Sequence, residues 1–136
     1  MPYVALVTVI ALLEFQWFGI QVARARAKYG IKAPAIIGNE IFERHFRVQM
    51  NTLEQLVMFL PSLWLFAHFV SPIWASALGA VFLVGRVIYG VTYVRDPKTR
   101  SLGFALTALP TLIMILGIIV WAVHAIIIMS AAGGAV

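Results

Sequence analysis

The stretch Glu43-Arg44-His45-Phe46-Arg47-Val48-Gln49-Met50-Asn51-Thr52-Leu53-Glu54 decides how this chain is read. It sets charged and amide side chains at the mouth of a run that otherwise reads as a membrane-spanning helix. Arg47, Asn51 and Glu54 are spaced i, i+4 and i+7, so on an α-helix they project from one face within two turns. A charged residue near the centre of a spanning helix costs roughly 2.5 to 3.5 kcal/mol, and less toward its ends. The cluster must therefore face protein, water or a bound polar molecule.

Composition sets the surroundings of that stretch. The chain has 136 residues, 62% of them apolar and only 11% charged, far from the soluble average and within the size of one domain. It has no cysteine, which excludes disulfides, thiolate metal sites and a cysteine nucleophile, so any thiol chemistry requires an imported thiol. No metal site is expected. A net charge of +5 would suit nucleic acid in a soluble protein. Here the positive charges lie beside apolar runs of membrane length, so topology accounts for them and no nucleic-acid partner is expected. Met1 to Leu13 lacks a basic n-region, and the basic residues follow the apolar run, so the first span is expected to be retained. Neither end carries a lipidation or retrieval motif.

Outward from the polar stretch, punctuation predicts four helices over about 3–28, 40–70, 73–94 and 101–129 in one domain covering residues 1–136. Tyr29, Gly30 and Pro34 end the first helix, and Gly38-Asn39 precede the second. The second exceeds the ~20 residues that a bilayer core requires, so its polar first turns can protrude. Pro61 removes one of its hydrogen bonds and is expected to bend it. Ser71-Pro72 and Asp96-Pro97 mark the remaining turns, and small residues follow Met129. Near the middle of the first span lies Glu14, read either as a hydrogen-bonding anchor between helices or as a direct participant in a site.

All ten Lys and Arg residues fall on the side bearing the first and third connections: Arg24, Arg26, Lys28, Lys32, Arg44, Arg47, Arg86, Arg95, Lys98 and Arg100. The positive-inside rule then puts those connections in the cytoplasm and both termini on the opposite side. Trp64, Trp74 and Trp121, with His68 and His124, lie toward the opposite ends and are read as interfacial.

This arrangement gathers Arg47, Asn51 and Glu54 from the second helix with Arg86, Tyr89 and Tyr93 from the third and Arg100 at the start of the fourth. Guanidinium groups hold carboxylates in fixed geometry, Glu54 suits an ammonium, and Asn51 and the tyrosines suit amides and hydroxyls. Glutathione, with two carboxylates, an ammonium, two amides and a thiol, fits that inventory. A set of snorkelling charges that pair with one another and set topology fits it too.

Residues 42–54, with a pattern close to E-R-x-x-R-x-x-x-N-x-x-E, resemble the signature of the MAPEG family, the membrane-associated proteins of eicosanoid and glutathione metabolism. Residues 84–93, Val-Gly-Arg-Val-Ile-Tyr-Gly-Val-Thr-Tyr, followed seven positions later by Arg100, are a second match. The resemblance covers essentially the whole chain. It implies an all-α, integral-membrane four-helix bundle assembling as a homotrimer, with glutathione as cosubstrate bound between subunits and a lipophilic second substrate arriving from membrane lipids. By motif position, Arg47, Asn51, Glu54, Arg86, Tyr89 and Tyr93 would contact glutathione and Arg100 would stabilise its thiolate. Ser101 would hydrogen-bond the sulfur or cap the fourth helix. Of the pair Arg24 and Arg26, Arg26 resembles the first-helix arginine that reaches the pocket, with topology-setting charge as the alternative. Tyr89 and the Tyr93-to-Arg100 spacing resemble the glutathione-transferase and cysteinyl-leukotriene-forming branch. Gly85-Arg86-Val87 and Arg100-Ser101 are also similar to the prostaglandin-E-forming branch, but Met50 stands where that branch has an arginine. The activity implied is a glutathione transferase or peroxidase; alternatives are a glutathione-dependent isomerase, a non-catalytic lipid-binding scaffold of the same fold, and a small transporter using Glu14.

Overall fold

Pro2 occupies the first turn of α1, Pro2–Lys28, where its missing N–H costs nothing, and Gly30 at φ 67° turns the chain away after Tyr29. Asn39 caps α2, Glu40–Phe69: its side-chain oxygen accepts from the N–H groups of Ile41 at 3.0 Å and Phe42 at 3.2 Å. Ser71 caps α3, Pro72–Arg95, by accepting from Trp74 N–H at 3.4 Å. A 3-10 turn, Pro97–Thr99, capped by Asp96, leads into α4, Ser101–Gly133. These elements come from a computed structural model of the chain, which describes residues 1–133. No strand occurs among the described residues.

The helices lie within a residue or two of their expected bounds, except that α4 continues beyond Met129. Ala131 and Ala132 have the highest helix propensity and carry the helix on. Residues 134–136 of the small-residue tail lie outside the described residues. Both α2 and α4 remain continuous through Pro61 and Pro110.

Among the described residues, three helical segments are long and apolar enough to cross a membrane: α1, α3 and the segment containing α4. The second helix is not among them: its stretch free of Asp, Glu, Lys and Arg covers only residues 55–69, short of the ~20 needed, and includes the polar Gln55, Ser62 and His68. Large apolar side chains such as Val84, Val87, Ile113 and Ile119 cover the outside of the bundle. That surface suits lipid, which makes close van der Waals packing the force that joins the helices.

Small residues permit that packing. A Cβ at Gly79 would meet Val7 at 2.6 Å, and one at Gly90 would meet Phe18 at 2.6 Å, so α1 and α3 run parallel in tight contact. A Cβ at Gly103 would lie 2.4 Å from Tyr89 N, so the first turn of α4 rests directly on the α3 backbone. Away from the basic end, Phe59 and Phe82 stack with centroids 3.6 Å apart, against Leu63, Val4, Ala75 and Met114. A smaller cluster of Val22, Ala25 and Phe42 joins α1 to α2 near the first connection. The two polar faces therefore share the end of the bundle where α1 and α3 finish and α2 and α4 begin.

Candidate functional site

At that end the bundle opens into a cleft of about 760 Å³ lined by Arg47, Asn51, Tyr89, Tyr93, Pro97, Lys98, Arg100, Ser101 and Phe104. One helical face of α2 contributes Arg47 and Asn51, spaced by a single turn. The last turns of α3 contribute Tyr89 and Tyr93, whose rings stack with centroids 5.4 Å apart. The 3-10 turn brings Pro97 and Lys98, and the start of α4 brings Arg100, Ser101 and Phe104. Asp96 accepts from Lys98 N–H at 3.0 Å, and Thr99 Oγ1 donates to the Asp96 carbonyl at 2.8 Å, which tightens the turn. The close seat of Gly103 on Tyr89 then sets Arg100 beside the tyrosines, its guanidinium carbon 5.9 Å from the Tyr93 ring centroid.

Behind this lining lies a hydrogen-bonded support. Arg86 is fully buried, at 0% exposure, and donates through Nη1 to Asn51 Oδ1 at 3.1 Å and through Nη2 to Thr52 Oγ1 at 2.7 Å. Its guanidinium carbon is 4.4 Å from the Tyr89 ring centroid, a cation–π contact. Because a guanidinium only donates, it must meet the amide oxygen of Asn51, which leaves the amide nitrogen to donate to Glu54 Oε2 at 3.3 Å. Glu54 Oε1 lies 3.7 Å from Arg47 Nη1. Both side chains of that pair are about half exposed, so its contribution to stability is small, about 0 to 1 kcal/mol, and it can reorganise around a ligand.

Arg47, Asn51, Tyr89, Tyr93, Arg100 and Ser101 thus meet in one cleft, and Glu54 stands at its edge, tied to Asn51 and Arg47. Arg86 does not line the cleft within the chain: it braces the wall from inside, orienting Asn51 and Tyr89. Arg26 also lies elsewhere. Its Nη1 donates to the carbonyls of Ile31 at 3.3 Å and Ala35 at 2.8 Å, and its guanidinium carbon is 4.7 Å from the Phe42 ring centroid. It clasps the connection between α1 and α2. Arg24 rests over the Trp17 ring at 5.5 Å.

The signature on α2 divides into two functions. Glu43 Oε1 accepts from Gly38 N–H at 2.9 Å, and Arg44 pairs with Glu40 and donates to the carbonyls of Val94 at 3.1 Å and Arg95 at 2.9 Å. Those first two residues fasten the connection and the end of α3, whereas Arg47 and Asn51 line the cleft and Glu54 is tied to both. Lys98 and Phe104 were not singled out from the sequence as lining residues, although Phe104 follows Arg100 by one helical turn and shares its face. Thr52 was missed as well. A buried guanidinium needs several acceptors, and the hydroxyl beside Asn51 was the available signal.

Three cations, Arg47, Lys98 and Arg100, line the cleft with hydroxyl and amide groups among them, an arrangement suited to a multiply anionic ligand with polar amides. The chain is 50% identical over 113 residues to an uncharacterized protein of Synechocystis sp., covering 83% of this chain and 82% of that protein. It is 36% identical over 118 residues to human microsomal glutathione S-transferase 2, covering 84% and 80% of the two chains. It is 33% identical over 96 residues to leukotriene C4 synthase of Cavia porcellus, covering 71% and 64%. Residues 4–120 match the MAPEG family, and, with its apolar helices, the chain is an integral membrane protein belonging to that family.

Proposed function

We propose that this protein is a membrane glutathione transferase, with peroxidase capacity, that activates glutathione as a thiolate for attack on lipophilic electrophiles. The observation that carries this reading is the single cleft in which Arg47, Asn51, Tyr89, Tyr93 and Arg100 converge. On this reading Arg47 and Lys98 neutralise glutathione carboxylates, Glu54 receives the ammonium, and Asn51, Tyr89 and Tyr93 bond its amides and carboxyls. Arg86 maintains the wall, and Arg100 faces the sulfur, with Ser101 as a hydroxyl donor beside it.

A free thiol of this type has a pKa of about 8.5, so it is mostly neutral at pH 7, and a guanidinium next to the sulfur favours the thiolate. With an aryl halide, the thiol proton leaves to solvent, the thiolate forms the S–C bond and halide departs with the bonding electrons. With a lipid hydroperoxide, the thiolate forms an S–O bond to the terminal oxygen, the O–O bond breaks and the lipid alkoxide leaves, taking a proton from solvent to become the alcohol. A second glutathione then displaces water from the resulting sulfenic acid and gives the disulfide.

The chain is further proposed to cross the bilayer four times as one domain, with the cleft at the cytoplasmic side, and to assemble as a homotrimer. The apolar exterior of the bundle supports burial in lipid or against other subunits. In such an assembly Arg26, which holds the connection after α1 in its own chain, is proposed to reach a neighbour's cleft. Met50 stands against the prostaglandin-isomerase alternative.

Thermal unfolding in detergent micelles tests the ligand. Glutathione at millimolar concentration should raise the midpoint, since selective binding stabilises the native state by RT ln(1 + [L]/Kd). An analogue lacking the terminal carboxylate should raise it less. Absence of any shift with glutathione refutes the assignment and favours a lipid-binding scaffold.

A further inference from the structure

We infer that Glu14, in the middle of α1, is a positioning residue for the cleft, acting through the buried Arg86 to hold the Asn51–Glu54 wall in its glutathione-binding arrangement. This rests on the glutathione reading above. Val7 meets Gly79 and Phe18 meets Gly90, a step of eleven residues along both parallel helices. Glu14, seven residues beyond Val7, therefore falls level with Arg86, seven beyond Gly79.

The two side chains also have complementary unmet demands. Glu14 Oε2 and Arg86 Nε are both buried without a hydrogen-bond partner, one an acceptor and the other a donor. Glu14 lines a cavity of about 310 Å³ whose other walls include Ile10, Leu13, Phe18, Val87 and Val91, and no cation lines it. Arg86 in turn spends its two terminal nitrogens on Asn51 and Thr52, which lack formal charge. A buried cation held only by neutral acceptors lacks a counter-charge, and Glu14 supplies it from across the α1–α3 contact.

The consequence runs to the cleft through donors and acceptors. Arg86 fixes the Asn51 oxygen, Asn51 presents its nitrogen to Glu54, and Glu54 faces Arg47. Without Glu14, the guanidinium is released toward other acceptors and the wall loosens, although no residue touching the ligand has changed.

A double-mutant cycle tests the coupling without any ligand. Glu14→Gln, Arg86→Met and the double variant are unfolded thermally in micelles. Each single change is expected to lower the midpoint, and the double change to recover part of the loss, because no unpaired charge remains buried. Strictly additive losses overturn the proposal. If Glu14→Gln alone yields no folded protein, a folded double variant supports the coupling and an unfolded one overturns it.

Glutathione kinetics supply the second readout. Glu14→Gln should raise KM for glutathione about fivefold, as expected for weakening about one hydrogen bond's worth of organisation, with kcat at saturation retained. Glu14→Asp should restore most of the affinity. Equal KM values in the wild type and Glu14→Gln overturn the positioning role. A wild type that binds no glutathione refutes the proposed function instead, and the unfolding cycle still decides the Glu14–Arg86 coupling.

Discussion

Replacing Gly103 by alanine tests the cleft through its foundation. The new Cβ would lie 2.4 Å from Tyr89 N and 2.5 Å from Tyr89 Cα, backbone atoms that cannot swing aside. Ordinary contact for such atoms is about 3.5 Å, so α4 must move from α3 by roughly 1 Å at this point. Overpacking of this kind costs about 1 to 3 kcal/mol. The displacement also carries Arg100 and Ser101, on the turn just before Gly103, away from Tyr89 and Tyr93. A 1 Å misplacement of a catalytic group can lower turnover about 10²-fold. Gly117→Ala provides the comparison: its Cβ would meet the Phe66 ring at 2.5 Å, away from the cleft. Thermal unfolding and turnover with an aryl halide, normalised to folded protein, should show lower stability in both variants and the large loss of turnover only in Gly103→Ala. Wild-type stability and turnover in Gly103→Ala would refute the α3–α4 seat as the element that sets the cleft geometry.

Arg100→Ala should bind glutathione with affinity within a few-fold of the wild type while losing about 10²- to 10³-fold in turnover, as for removal of a group that stabilises developing or resident negative charge. The sign of its pH effect follows: without the guanidinium the bound thiol ionises at higher pH, so the rising limb of the pH–rate profile should move upward, and an unmoved limb refutes the thiolate role. Arg44→Ala removes the donor to the carbonyls of Val94 and Arg95 at the end of α3. It should cost about 1 to 2 kcal/mol of stability and speed amide exchange in the α3–α4 turn, with glutathione affinity nearly unchanged once the protein is folded.

Much of this protein is written in local patterns. Asn39, Ser71 and Asp96 announce helix starts because capping depends only on a side chain and the next few N–H groups. The polar face of Arg47, Asn51 and Glu54 is legible because the helical period alone aligns i, i+4 and i+7. The gathering of basic residues at one end needs only the order of apolar and basic runs. The tertiary structure decided what those residues touch. Arg86 shares the sequence spacing of Tyr89 and Tyr93 yet sits behind the wall, since its helix presents it to Asn51 and Thr52. Within its own chain Arg26 clasps the Ile31–Ala35 turn, a contact its sequence does not announce, and Glu43 and Arg44 are fasteners although they belong to the same signature as Asn51. The level pairing of Glu14 with Arg86 depends on how far α1 slides along α3, and Val7 against Gly79 and Phe18 against Gly90 set that offset. Helix periodicity is local and can be read from one segment; the register between two helices is fixed by which small residues admit which large ones, a relation between positions some seventy residues apart.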